Sequence, residues 1–302
     1  MHKVAVTLLI CTRNRCASLA ATLASVTRAA AVVRDSGVRI EVVLVDNGST
    51  DDTPALIAQW QQDQPFRVCL AEEPRPGLAR ARNRGLIHCT GPIIAMTDDD
   101  CILHADYFFR LIGAFAQVEG PAIIGGRILL GNPADLPVTV KLEDHPMVAP
   151  LGGFPGGFVM GANLAFGADV LAAVGPFDER FGAGAPFVAA EDTDFLFRAS
   201  GLGIPLRYDP LIVVDHHHGR RAIADETRLL AGYSFGDGAL YAKHWRTDPR
   251  ARRMLLADVR DVRLDILRPV TTHAGVRWFY CFRLFHKARG FLRYHRPGRG
   301  RS

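Results

Sequence analysis

The chain has 302 residues and lacks any apolar run approaching the roughly 18 residues that a bilayer-spanning helix needs. Its six cysteines, Cys11, Cys16, Cys69, Cys89, Cys101 and Cys281, include no CxxC pair and no zinc-like spacing. Several sit within apolar segments, where the reduced thiols of a cytoplasmic protein are expected. No small-residue cleavage site follows Met1-His2-Lys3 and the strand-like Val4 to Ile10, so no secretory signal is expected. The loop behind that first strand, Cys11-Thr12-Arg13-Asn14-Arg15, is not G-x-G-x-x-G, which argues against a nicotinamide or flavin enzyme. It is also not the glycine-rich loop with a basic residue that a nucleotidyltransferase usually shows there.

What is present is an ordinary globular composition, 48% apolar and 22% charged, long enough for one large α/β domain or a domain with an appendage. The net charge of +5 is unevenly spread. Residues 1–245 carry 21 Lys or Arg against 27 Asp or Glu, whereas residues 246–302 carry 15 against 4. A mildly acidic body with a basic tail is a two-part molecule. Strand-like segments at 3–11, 40–45, 67–71 and 93–97 alternate with helix-like segments at 17–34, 53–63 and 77–88. Ser49 or Thr50 offers a cap for the second helix, with Pro54 in its first turn. Such alternation predicts right-handed crossovers and a Rossmann-like α/β fold, a mostly parallel central sheet flanked by helices. The expected division is a catalytic domain over 1–222, with halves meeting near 102, and a helical basic extension over 223–302.

The run Ile93-Ile94-Ala95-Met96-Thr97-Asp98-Asp99-Asp100 is apolar until it ends in three carboxylates. Buried strands read this way, and open α/β sheets hold ligands at the carboxyl ends of their strands. Alternation along extended backbone lets Asp98 and Asp100 converge on one ligand while Asp99 faces elsewhere. Three adjacent like charges call for a compensating cation, and carboxylate oxygens suit magnesium or manganese. The competing reading is a solvated acidic turn that caps a helix starting near Leu103. Strands one and two end in Thr12-Arg13-Asn14-Arg15 and Asp46-Asn47, so three acidic or basic strand ends open onto one crevice. An aspartate there can accept from a nucleobase or ribose, and Arg13, Arg15, Arg80 and Arg82 offer charge for a diphosphate. Arg80 and Arg84 share a helix face by i, i+4 spacing, where a solvated face is the plain alternative, and Arg82 lies on another.

Eight ordered segments across residues 4–220 carry a family resemblance. They are Cys11-Thr12-Arg13-Asn14-Arg15, Val45 to Asp51, Gly77 to Asn83, Thr97 to Asp100, Gly161 to Phe166, Gly175 to Glu179, Glu191-Asp192-Thr193-Asp194 and Val214 to His218. In this order and spacing the chain resembles the family-2 glycosyltransferases of the GT-A fold. The resemblance implies a nucleoside-diphosphate sugar donor, a divalent metal (Mn2+ or Mg2+) and inversion at the anomeric carbon. By the same resemblance Asp46 meets the base, Thr12 and Arg13 surround the nucleotide with Arg15 and Asp99 nearby, and Arg82 lies on the nucleotide side. Asp100 would hold the metal, Asp98 would reach the ribose or the metal shell, and His216 would complete that shell. Asn47 stands where a second aspartate is commoner. Inversion needs a carboxylate that takes the acceptor proton, for which Asp192 is the candidate, assisted by Glu191, with Asp194 structural. The alternative for these acids is stabilisation of a helix start at 190–200. Asn163 and Glu191 are expected at the acceptor, a glycan or lipid-linked molecule, and Gly219-Arg220-Arg221 can add diphosphate charge. All crevice residues are expected before position 222. The rivals are a nucleotidyltransferase and a non-catalytic membrane or nucleic-acid binder on a decayed transferase scaffold.

Two segments stay open at this level. Leu151 to Phe158, with four glycines and a proline, reads as a mobile lid or as a tolerant connection after the irregular 131–150 stretch. Residues 275–294 read as an amphipathic helix with Trp278, Phe282, Phe285 and Leu292 on one face and Arg283, His286 and Lys287 opposite. That pattern fits peripheral contact with the inner face of the cell membrane, or packing on the body. Nucleic-acid binding is the weaker use of the charge, since no nucleic-acid motif accompanies it.

Overall fold

A computed structural model of the chain describes residues 4–296. Strands β1 (Val4–Thr12), β2 (Arg39–Asp46), β3 (Arg67–Glu72) and β4 (Ile93–Asp98) are joined by helices α1 (Cys16–Arg34), α2 (Thr53–Gln62) and α3 (Leu78–Leu86). These four strands pair in parallel in the order β3-β2-β1-β4, as the alternation predicts. Consecutive residues of β1 serve opposite faces. Leu8 and Ile10 pack with Leu19, Leu23 and Val26 of α1 on one side, and Leu9 packs with Ala79, Ala81 and Leu86 of α3 on the other.

After the acid triplet comes β5 (Cys101–Leu103), which pairs antiparallel with β9 (Leu206–His216) and sets Cys101 opposite His216. The expectation of a helix starting near Leu103 is therefore corrected: α4 (Tyr107–Ala116) begins four residues later. The rest of the sheet is mixed. It contains β6 (Ile123–Leu130), β7 (Met147–Val148) and β8 (Asn163–Gly167), with β8 antiparallel to both β4 and β6 and β6 parallel to β9. Helices α5 (Ala168–Val174) and α6 (Glu191–Gly201) cover the α3 side of the sheet through Val170, Phe195 and Leu196. The expected Ser49 or Thr50 cap is also corrected. Asp51 Oδ1 accepts from the Thr53 N–H at 3.1 Å, while Ser49 Oγ and the Thr50 N–H tie to Asn14. The first two ligand-facing loops are thereby laced together.

Among the described helices α1 is long and apolar enough to cross a membrane, with a mean hydropathy of 1.5. Its Ser, Thr and Arg28 kept it from reading as an apolar run in the sequence. Leu19, Leu23, Val26, Ala29 and Val33 of this helix are packed in the core.

Helices α7 (Ile223–His244), α8 (Pro249–Leu267) and α9 (Phe279–His295) follow β9. Gly238 of α7 and Gly290 of α9 let the two helices touch backbone to backbone, since a β-carbon at either would overlap the carbonyl of Lys287 or Phe235. The α9 face expected to be solvated is the packed one. Lys287 is 1% exposed, and its Nζ lies 2.7 Å from both Asp258 carboxylate oxygens. A buried ammonium is tolerable only with such partners. Trp278, Phe285 and Leu292 point outward instead. The α7 helix also holds α6 in place, because Lys243 Nζ and His244 Nε2 both reach the fully buried Asp194 at 2.8 Å.

Candidate active site

The carboxyl ends of β1, β2 and β4 and the amino end of α6 open onto one cleft of about 930 Å3. Thr12, Arg13, Arg15, Asn47, Arg82, Asp98, Asp99, Asp100, Glu191, Asp192 and His216 line it, so most of the residues singled out in the sequence come together. Asp46 and Asn163 are not among the lining residues. Asp46 receives the Ser49 N–H and so shapes the turn after β2. Asn163, expected at the acceptor, is corrected to a buried strap. Its Nδ2 donates to the Arg127 and Ile212 carbonyls at 3.0 Å, and its Oδ1 accepts from Tyr107.

At the nucleotide-facing end, parallel pairing of β1 with β4 sets Cys11 beside Asp98. One residue further, Thr12 Oγ1 donates to Asp99 Oδ2 at 2.7 Å. Burial pushes the Asp99 carboxyl up to about 6 against the pull of that hydroxyl. Asn47 shows its surface to the cleft, but its polar atoms are committed. Nδ2 donates to the Glu73 and Arg75 carbonyls and Oδ1 accepts from the Gly77 N–H, which fixes the entry to α3.

Arg82 crosses the floor of the cleft. It is 4% exposed, its Nη1 donates to Glu191 Oε1 at 2.9 Å, and its Nη2 stands 3.6 Å from Asp98 Oδ1. The buried guanidinium thus joins the acids after β4 to those opening α6, and removing either partner would strand a charge. Arg80 pairs instead with Glu179, and Arg84 is exposed. Ala190, in the left-handed region at φ 71°, turns the chain sharply into α6. Asp192 then faces the cleft with Oδ2 accepting from the Gly161 N–H at 2.9 Å and Oδ1 from the Thr193 N–H at 2.6 Å. Burial, followed by the adjacent Asp192 charge, pushes Glu191 up to about 7 in spite of Arg82.

The candidate metal position is at the β4–β5 turn. Asp100 Oδ1 is buried with no hydrogen-bond partner among the described residues, and His216 Nε2 faces it at 3.3 Å. Thr139 sits at 3.3 Å from His216 Nδ1, so the ring is oriented from behind. Burial drives the Asp100 carboxyl upward, but the His216 contact together with the Arg15 and Arg220 charges outweighs it and the net shift is downward. The ligand atoms of Asp100, His216 and Cys101 lie within 4.8 Å of one another. Burial holds the Cys101 thiol far above its ordinary range, which leaves a carboxylate and an imidazole as the donors. An orphaned oxygen beside an oriented imidazole fits a divalent cation of the manganese or magnesium kind. Asp98, expected to converge with Asp100, is absent from this group because it faces Arg82.

Residues 7–147 match the sequence family described as Glycosyl transferase family 2. The match covers 141 of the 302 residues, just under half of the chain. The chain is similar to the succinoglycan biosynthesis protein ExoM of Rhizobium meliloti, at 26% identity over 67% of the chain and 63% of ExoM. It is also similar to the glycosyltransferase AglE of Haloferax volcanii, at 31% identity over 30% of the chain and 29% of AglE. The matched parts span less than two thirds of either relative. In structure it is similar to the mannosyltransferase PcManGT from Pyrobaculum calidifontis, solved with GDP-Man and Mn2+, at a TM-score of 0.64 and 18% identity. That match covers 98% of this chain and 89% of PcManGT, which shows the GT-A type of fold through the C-terminal helices.

The crevice does not end at position 222. Leu229, Leu230, Tyr233 and Asp237 of α7 and Arg283 of α9 also line it, with Phe154 packed edge-on against Tyr241 of α7 and Val188 beside Gly232. The signal for the α7 residues was present in the sequence as a stripe spaced three to four residues apart, one side of a helix. Assigning the basic tail as an appendage hid it.

Proposed function

We propose that this chain is an inverting glycosyltransferase that moves a sugar from a nucleoside-diphosphate sugar to a hydroxyl of a glycan or lipid-linked acceptor. The observation that carries the reading is that one cleft contains an Asp100–His216 pair suited to a cation and, across Arg82, a cleft-facing Asp192. The GDP-Man and Mn2+ bound by the mannosyltransferase of the same fold support it. Thr12, Arg13, Arg15 and Asp99 would take the nucleotide, with Asn47 fixing the entry to α3 beside them, and Arg220, whose buried Nη1 has no partner among the described residues, would meet the diphosphate. A divalent cation held by Asp100 and His216 would supply neutralising charge to the leaving diphosphate. In the displacement the acceptor oxygen bonds to the anomeric carbon as the bond from that carbon to the diphosphate breaks. The hydroxyl proton passes to Asp192, while Glu191 and Arg82 hold the approach to it.

Thermal unfolding with UDP-, GDP- and dTDP-sugars, each with and without manganese, tests this reading. A ligand at 100 times its Kd stabilises by about 2.7 kcal/mol, a rise in Tm of roughly 4 °C for a chain of this size. One nucleotide class is expected to give that rise with manganese and to lose most of it with a chelator. A flat response to every donor overturns the proposal.

The outer faces of α8 and α9 favour peripheral membrane contact beside this activity. Leu256, Val259, Ile266, Leu267, Phe285 and Leu292 are all exposed on the segment with the large arginine excess. Aromatic and aliphatic side chains insert at an interface, and each arginine near an anionic surface adds about 1 kcal/mol. Deleting residues 270–302 would also strip Lys287 from Asp258, so point changes are the sounder test. Phe285→Glu with Leu292→Glu is expected to lower cosedimentation with phosphatidylserine vesicles at least about tenfold. Unchanged sedimentation removes the membrane role.

A further inference from the structure

The part of the cleft lined by α7 and α9 has a chemistry of its own. Along α7, Tyr233 lines the same cleft as the Glu191–Asp192 pair, and Asp237 follows four residues later. At 1.5 Å per residue this is a step of about 6 Å along the helix axis, so the two residues face the same side one turn apart. Asp237 Oδ2 receives Arg283 Nη2 from α9 at 3.3 Å and lies 3.7 Å from Lys287 Nζ. Lys287 is itself saturated by Asp258 and the Tyr241 hydroxyl. Asp237 Oδ1 accepts no hydrogen bond among the described residues, and Arg283 donates only through Nη2 to a side chain. Both therefore keep free hydrogen-bonding capacity where they line the cleft. The Phe154 and Tyr233 rings line the same cleft.

We propose that Asp237 and Arg283, framed by Phe154 and Tyr233, form an acceptor subsite for a sugar ring one step beyond the hydroxyl that reacts. The inference rests on the glycosyltransferase reading and narrows its acceptor to a saccharide at this position. A carboxylate that accepts beside a guanidinium that donates matches vicinal hydroxyls, which do both. Aromatic faces pack on the apolar C–H side of a ring. A phosphate or other anion fits less well, because Asp237 and Asp258 already balance Arg283 and Lys287 and leave no surplus positive charge. The C-terminal helices thus take part in acceptor selection in addition to bracing α6.

The test uses the full chain with manganese and the donor identified by thermal unfolding. The acceptor probes are p-nitrophenyl glycosides of glucose, galactose, mannose and rhamnose, with octyl phosphate and octanol as non-sugar controls. At least one glycoside is expected to accept sugar. Arg283→Gln is expected to raise KM for it at least about tenfold, the scale of one hydrogen bond to a charged group, with kcat changed far less. Arg283→Lys should recover part of the loss, and Asp237→Asn should raise KM in the same direction. Nucleotide affinity by calorimetry reports that each variant is folded, with Arg283→Gln the decisive variant should Asp237→Asn fail to fold. An unchanged KM in a folded Arg283→Gln variant overturns the subsite. So does equal or better transfer to octyl phosphate or octanol, or no transfer to any glycoside by a chain that binds the donor. Failure of donor binding itself overturns the underlying glycosyltransferase reading instead.

Discussion

Asp192→Asn is expected to keep donor binding and to lower sugar transfer by roughly 100-fold or more, the usual scale for losing a general base. The exchange is nearly isosteric, and the amide oxygen can still accept one of the two backbone N–H groups that hold the carboxylate, from Gly161 or Thr193. What it cannot do is take the acceptor proton. Because Arg82 pairs with Glu191 and not with Asp192, the floor of the cleft keeps its ion pair in this variant. Calorimetry with the nucleotide sugar and manganese should therefore match the parent chain while the product-forming rate collapses. A rate near the parent value would assign the proton to another group, with Glu191 the nearest carboxylate to examine.

The contrast with Glu191 shows why the two neighbours are not interchangeable. Glu191 is buried against Arg82, and burial raises its pKa to about 7. Replacing it by Gln leaves the guanidinium of Arg82 with only Asp98 beside it at 3.6 Å. Loss of a partner from a buried charge is costly to stability, so that variant would mix a folding defect with any catalytic one. Asp192 offers the cleaner experiment.

Much of the donor half was legible because each of its features is local in sequence. Alternating β and α segments determine a parallel sheet, and a parallel sheet brings the ends of β1, β2 and β4 together without further information. Thr12, Asn47, Asp98, Asp99 and Asp100 meet for that reason. Local pattern did not reveal which atoms each side chain spends on the protein. Asn47 and Asn163 looked like ligand groups, yet their amides hold loops and strands together through backbone carbonyls far away in sequence. The α7 and α9 wall of the cleft was illegible for a different reason. Lys287 and Arg283 belong to a basic segment whose charge suggested solvent or lipid, whereas the acids that pull them inward, Asp237 and Asp258, sit on two other helices. A long-range ion pair leaves no periodic trace, so helix α9 was read with its polar side outward when that side is packed. The three-residue strand β5 was equally hidden, since its only support is antiparallel pairing with β9.

Asp100→Ala carries the remaining large effect. Asp100 Oδ1 is buried and has no hydrogen-bond partner among the described residues, and the His216 ring opposite is held from behind by Thr139. Truncating the carboxylate leaves an imidazole alone, too few donors to retain a hard divalent cation that favours several oxygen ligands. Two consequences should separate in one set of measurements. Nucleotide-sugar affinity in the parent chain should fall on adding a chelator, whereas in Asp100→Ala it should already be low and no longer respond. The fold should survive, because the Asp100 carbonyl that accepts from the His217 N–H is unaffected by the side-chain change. His216 should also titrate differently. The Asp100 carboxylate now raises its pKa against the effect of burial, so without that charge the imidazole should lose its proton at a lower pH, visible by NMR. A variant that binds the nucleotide sugar as tightly as the parent, with the same chelator sensitivity, would show that the cation is held elsewhere. An unchanged His216 titration would separately show that the Asp100–His216 contact is not formed in solution.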